Sequence, residues 1–304
     1  MPTRPPVALI AGPTASGKSA LALMLAERCG GVIINADSAQ LYRDLNIVNA
    51  APSAEELSRV EHRLYGMIDG GESCSAAEWA AMARGAIAEV VEHDRIPILV
   101  GGTGLYLNTL INGIAPIPTI DTEVRREVRA TSVEVNRARL VEMDAESAAR
   151  LNAADSLRIA RALEVVLSTG KTLSEWQTQR QGGIGNSITL RPLVLLPPRD
   201  WLYARCDERF AQMMECGAVE EVEALLKRGL DPKLPVMRAI GVREIAEYLS
   251  GEISREEVVA RGSQATRNYA KRQYTWFAHQ PPPEWPRFTA VPGEAALELL
   301  QPSA

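Results

Sequence analysis

Histidine is scarce in this chain: His62, His93 and His279 are the only three in 304 residues, and they are too scattered to suggest a ligand cluster. Cysteine is nearly as rare. Cys29, Cys74, Cys206 and Cys216 form no Cys-x-x-Cys pair and no metal-binding spacing. No zinc site is expected, and the cysteines read as thiols of a reducing compartment. Long apolar runs are missing too. Stretches such as Val32–Ile34 and Ile96–Val100 fall far short of the ~20 residues that a bilayer-crossing helix needs. Met1-Pro-Thr-Arg-Pro-Pro6 shows none of the charged-then-apolar pattern of a secretion signal. The cytoplasm is the expected location, with no membrane partner. Finally, there is no excess of positive charge: the net charge of −5 argues against an unspecific nucleic-acid binder.

What is there is ordinary globular material, 46% hydrophobic and 23% charged, long enough for one large domain or two unequal ones. The charge is uneven. Residues 1–119 carry 8 Lys/Arg against 12 Asp/Glu, residues 120–180 carry 10 against 10, and residues 255–279 carry 5 against 2. That last segment, on an acidic protein, fits either a polyanion contact or a solvated helix face.

Val7–Ala11 is a short apolar run of the kind that forms a buried parallel strand. A helix from about Lys18 to Arg28 follows, stopped by Gly30-Gly31. Val32–Ala36 reads as a second strand, Ala76–His93 as a helix and Ile96–Val100 as a third strand. Alternation of this kind predicts an α/β layer with a parallel sheet. From Pro116 to about Trp176 nothing looks like a strand, and arginine-rich helical stretches dominate. Arg191–Pro198 restores a strand, and helices run on to Ala278.

Between the first strand and the first helix lie Gly12, Pro13, Thr14, Ala15, Ser16, Gly17, Lys18 and Ser19, which fit the phosphate-loop pattern G-x-x-x-x-G-K-[ST] at every fixed position. Backbone N–H groups of such a loop point at an anion. Lys18 adds a point charge, and Ser19 offers a hydroxyl to Mg²⁺. The fold class expected is therefore an α/β, P-loop NTPase-like parallel sheet flanked by helices, with a smaller all-helical insertion domain. Its expected parts are 1–115 and 189–304 for the core and 116–188 for the insertion.

Asp37 follows the second strand on the same carboxyl edge of the sheet as the phosphate loop. It suits a water-mediated Mg²⁺ contact or a proton acceptor, and equally Asp37 or Ser38 suits the cap of the next helix. Gly101, Gly102 and Gly104 end the third strand and would let backbone approach a ligand, with Thr103 supplying a hydroxyl; a tight turn explains them as well. An ordinary P-loop ATPase carries an acidic residue at the end of a hydrophobic strand. Ile96–Val100 ends in glycines instead, which suits a transferase using a diphosphate better than a motor. Two later segments add cations: Arg158 and Arg161 one helical turn apart, and Arg267, Lys271 and Arg272 interleaved with Tyr269, Tyr274, Trp276 and Phe277. Such residues bind phosphates and stack bases, or form an ordinary amphipathic helix.

Taken together, six segments resemble one family, the tRNA dimethylallyltransferases (tRNA isopentenyltransferases). They are Gly12–Ser19, Asp37–Tyr42, Gly101–Tyr106, Arg161–Glu164, Arg238–Gly241 and Ala270–Trp276. The resemblance implies transfer of a dimethylallyl group from dimethylallyl diphosphate to N6 of the adenosine 3′ of the anticodon in tRNA. The phosphate loop would then hold a leaving group, with no ATP consumed. It further implies Asp37 as proton acceptor, Thr103 beside the reacting centre, Mg²⁺ on Ser19, and Arg209, with Arg243 as the alternative, completing the diphosphate clamp. The tRNA anticodon stem-loop would meet Asp37, Ser38, Ala39, Gln40, Thr103, Arg125, Arg161, Ala162, Leu163 and Glu164, its target base flipped out into a channel. Leu157, Val242 and Ala278 depart from the family's usual residues. Nothing demands more than a monomer. The competing reading is a P-loop small-molecule kinase or ATPase.

Overall fold

The structure, a computed structural model, describes residues 4–300. Six strands form a single sheet: β1 (Pro6–Ala11), β2 (Val32–Asn35), β3 (His62–Arg63), β4 (Pro97–Gly101), β5 (Thr189–Leu195) and β6 (Arg287–Phe288). Their spatial order is β3-β2-β4-β1-β5-β6, and every neighbouring pair runs parallel. The central strands β2 and β4 are buried throughout and β1 beyond its first residue, which is why they read as unbroken apolar runs rather than as alternating ones.

One sheet face packs on the helix Lys18–Cys29, where Leu21 and Leu25 meet Ile10, Ile33, Ile98 and Leu195. Each such burial contributes roughly 1.5–3 kcal/mol. That helix ends at Gly30, left-handed at φ 62°, whose N–H bonds the Ala26 carbonyl. The helix Ala76–Glu92 starts at a capping box of Ser75 and Glu78 and contributes Trp79, fully buried and stacked on Tyr106 at 4.7 Å.

Three strands lie within a residue of where the sequence puts them, and β5 starts two residues before and ends three before the Arg191–Pro198 expected. β3 and β6 are two residues each, too short for any period, and only pairing with β2 and β5 reveals them.

The chain divides into two compact units. One takes in the chain up to Leu110 and from Gly185 onward; the other is Ile111–Ile184. The smaller unit starts and ends before the 116–188 expected. Ile114 and Gln181 exchange two backbone hydrogen bonds of 3.0 Å at its base, an antiparallel bridge that no local pattern announces. Otherwise it is helical among the described residues, with Val128, Leu140, Ile159, Leu163 and Val166 at its core.

Candidate active site at the carboxyl edge of the sheet

Register places the site. Ala11 of β1 lies level with Gly101 of β4, and Asn35 of β2 lies level with Val100. The loops leaving β1, β4 and β2 therefore start at one height on adjacent strands about 4.8 Å apart. The phosphate loop, Thr103 and Asp37 meet because of that register.

In the phosphate loop, Gly17 takes φ 87°, a left-handed conformation that turns the chain into the helix Lys18–Cys29. The N–H groups of that helix's first turn have no intrahelical partner, so they are available to an anion. Lys18 Nζ donates to the Pro13 carbonyl at 2.6 Å. Burial lowers its pKa to about 8; the nearby Arg209 pushes the same way, and Asp37 opposes it. Arg209, on the helix Arg199–Glu215, donates to Thr14 Oγ1 across the loop, and its own pKa is lowered, chiefly by burial. Arg243 is exposed and paired with Glu247 at 2.8 Å. Of the two arginines, Arg209 is the one at the loop.

Asp37 sits on a scaffold built by Asn35, a residue the sequence reading passed over. Fully buried, Asn35 accepts the Asp37 N–H at 2.8 Å and donates to the carbonyls of Asp37 and Leu64, both at 3.0 Å. Trp79 Nε1 in turn donates to the Asn35 carbonyl at 3.0 Å. One Asp37 oxygen accepts the Ala39 N–H at 3.1 Å, opening the 3₁₀ turn Ala39–Leu41. That bond is an Asx turn ahead of the 3₁₀ turn, and the same carboxylate also lines a large cavity. Ser38 donates its N–H to Thr103 Oγ1 at 3.0 Å, and Thr103 donates its own N–H to the Ala36 carbonyl at 3.3 Å. Gln40 donates to the carbonyls of Asn49 and Ala50 at 3.0 and 2.6 Å, so its amide N–H groups hold the following loop.

The glycines at the end of β4 have a packing reason beside the two offered by the sequence. They make room for protein. A Cβ at Gly101 would lie 2.1 Å from the Ala36 carbonyl oxygen, at Gly102 2.4 Å from Gln273 Nε2, and at Gly104 2.5 Å from the Trp276 ring.

The cavity over these loops measures about 690 Å³. Asp37, Thr103 and Arg209 line it on the polar side; Phe210, Met213 and Val236 give it an apolar wall. Tyr269, singled out among the interleaved aromatics, also faces it, and burial together with the Asp37 charge pushes its phenol pKa up. An apolar group attached to an anion fits such a site, with a carboxylate nearby to take a proton.

In the smaller unit, Arg125 is exposed on the helix Thr122–Ala130, and Arg161 is half-exposed on the helix Ser156–Thr169. Ala162, Leu163 and Glu164 are buried, their side chains in the unit's interior. Glu164 accepts from Arg129 at 2.6 Å, with Arg161 at 3.9 Å. Burial lowers the Arg161 pKa, Glu164 opposes the shift, and Arg125 and Arg129 reinforce it. Arg129 thus shares one buried carboxylate with Arg161, and Arg125 is close enough to Arg161 to act on its charge.

For a metal the donors are few. Among the described residues no group of three or more His, Cys, Asp or Glu could hold one. Ser19 is exposed at the first turn of its helix. A lone hydroxyl fits Mg²⁺, which keeps several waters and takes its remaining oxygens from a phosphate substrate. No helix among the described residues is long and apolar enough to cross a membrane.

Fold and loop together define an α/β protein of the P-loop class. Residues 40–280 match the model of the IPP transferase family, a range that begins just after Asp37. A tRNA dimethylallyltransferase of Erythrobacter litoralis is 59% identical over 289 residues, covering 93% of this chain and 91% of that protein. One of Sphingopyxis alaskensis is 58% identical over 282 residues, covering 92% of each. Among solved structures, the tRNA isopentenylpyrophosphate transferase of Bacillus halodurans aligns with a TM-score of 0.69 at 33% identity, covering 97% of this chain and 94% of that one. A eukaryotic dimethylallyltransferase acting on tRNA aligns at 0.76 and 29% identity, covering 90% of this chain and 69% of that one. The chain belongs to the tRNA dimethylallyltransferase (IPP transferase) family.

Proposed function

We propose that the protein transfers the dimethylallyl group of dimethylallyl diphosphate to N6 of the adenosine 3′ of the anticodon in tRNA, releasing diphosphate. One observation carries the reading: Thr14 of the phosphate loop, the arginine bonded to it and the carboxylate Asp37 line a single cavity that also has an apolar wall.

In this reading the N6 amine attacks C1 of the dimethylallyl group. The N–C bond forms as the C–O bond to diphosphate breaks, and the displaced proton passes to Asp37. Lys18, Arg209 and the free N–H groups of the loop stabilise the charge that grows on the departing diphosphate. Thr103 holds the Asp37 loop through Ser38. Mg²⁺ would be held by Ser19 with water and diphosphate oxygens, and when bound it neutralises part of the leaving group's charge.

The tRNA anticodon stem-loop is the macromolecular partner in this reading. Asp37, Ser38, Ala39, Gln40 and Thr103 serve the target base, and Arg125, Arg129 and Arg161 serve the backbone, because phosphate contacts supply most of the affinity of such complexes. A cytoplasmic monomer suffices. The test is one reaction of unmodified tRNA, dimethylallyl diphosphate and Mg²⁺ with the protein, followed by mass spectrometry of the digested nucleosides. A five-carbon gain on adenosine without ATP is expected. No gain, with ATP hydrolysed in a parallel reaction, would move the chain to the kinase or ATPase class.

A further inference from the structure

We infer that Gln273 is a positioning residue of the transfer reaction, a single carboxamide that ties the diphosphate loop to the loop carrying Thr103 and so sets the distance between leaving group and nucleophile. The inference rests on the transferase reading above.

Gln273 lies in a segment that the sequence offers for its cations and aromatics, not for its amide. It projects from the helix Arg255–His279 and is almost fully buried. Its Oε1 accepts the Thr14 N–H at 2.8 Å, and its Nε2 donates to the Gly102 carbonyl at 2.9 Å. Those partners belong to different strand ends, β1 and β4. No other uncharged side chain except asparagine presents an acceptor and a donor side by side in this way. Gly102 is where a Cβ would collide with the amide, so the glycine and the glutamine are one device.

From this joint, hydrogen bonds run both ways. Thr14 takes Arg209 on its hydroxyl and Gln273 on its backbone, so the loop is fixed from two sides. Gly102 leads to Thr103, which holds Ala36 and Ser38, the neighbours of Asp37. The path from diphosphate to base thus passes through Gln273. Displacement demands close alignment of nucleophile, carbon and leaving group, and a shift of about 1 Å costs on the order of a hundredfold in rate. Gln273 touches neither reactant; it acts through the loops that do.

The test compares wild type with Gln273→Met and Gln273→Glu in steady-state transfer assays at several pH values. Methionine keeps the volume and leaves both backbone groups unpaired. A protonated glutamic acid can still accept from Thr14 and donate to Gly102, whereas an ionised one presents only acceptors to a carbonyl. Gln273→Met is expected to lose about 10- to 100-fold in kcat while KM for tRNA stays within about threefold. The Gln273→Glu to wild-type ratio of kcat is expected to rise severalfold from about pH 8 to about pH 6, as the acid form restores the missing donor. The Gln273→Met ratio stays flat over the same range. A Gln273→Glu ratio that does not change with pH, or a loss that falls on KM for tRNA with kcat kept, would overturn the inference. If Gln273→Met does not fold, the Gln273→Glu ratio decides alone. A wild type that transfers nothing would overturn the transferase reading and this inference together, so the two failures are distinct.

Discussion

Diphosphate binding should weaken as pH rises through about 8, and the state of Lys18 sets both the sign and the size of the effect. Burial holds Lys18 at about 8 instead of 10.5 in the unliganded protein. A bound diphosphate favours the ammonium and keeps it protonated. At lower pH Lys18 is charged before and after binding, and affinity does not depend on it. Above that pH the protein must take up a proton in order to bind. Affinity then falls about tenfold per pH unit, or about 1.4 kcal/mol. The ligand does not confuse the reading, because the last ionisation of a phosphate monoester lies near pH 6. Isothermal titration with dimethylallyl diphosphate, in buffers of differing ionisation heat, counts the protons directly. About zero are expected at pH 7, approaching one at about pH 9. Lys18→Arg stays charged throughout, and its affinity should not follow that fall. Equal affinity at the two pH values, or a parallel fall in the arginine variant, would refute the reasoning. Stability carries the opposite sign. The folded pKa lies below the unfolded value, so between about 8 and 10.5 the unfolded chain holds more protons and the Lys18 contribution to stability rises with pH.

Asp37→Asn keeps the loop's shape, since the amide oxygen can still accept the Ala39 N–H, but removes the proton acceptor. Transfer should fall ~10²-fold or more with diphosphate affinity kept; single-turnover rates equal to wild type would take the carboxylate out of the chemistry. Gly101→Ala places a methyl 2.1 Å from the Ala36 carbonyl oxygen, a contact between two backbones that cannot relax by a rotamer change. It should destabilise the fold by about 1–3 kcal/mol, visible as a lower melting temperature. An unchanged melting curve would mean that β2 and β4 do not hold the register described.

The phosphate loop was legible in the sequence because its function is local. Eight consecutive residues carry the turn, the free N–H groups, the lysine and the hydroxyl, and the apolar run before them fixes where they sit. β1, β2 and β4 are legible for a related reason: a strand buried on both faces has no choice but to be apolar. The choice between Arg209 and Arg243 was not legible, since both lie on helices that the local pattern describes equally well. Only packing shows one bonded to Thr14 and the other paired with Glu247. Within Arg161–Glu164 the helix turns the last three residues inward and leaves the arginine half-exposed, a division that the four residues in a row do not announce. Gly101, Gly102 and Gly104 fit a ligand's approach or a tight turn by sequence alone, and packing adds a third reason, the closeness of Ala36, Gln273 and Trp276. Gln273 marks the limit most sharply. Its two hydrogen bonds span 259 and 171 residues of chain. The sequence by itself determined what can bind a phosphate and what must be buried, since those follow from each residue and its near neighbours. Only the tertiary structure decided which distant polar groups share a site, because a hydrogen bond depends on distance in space and nothing in the chain's order encodes that directly.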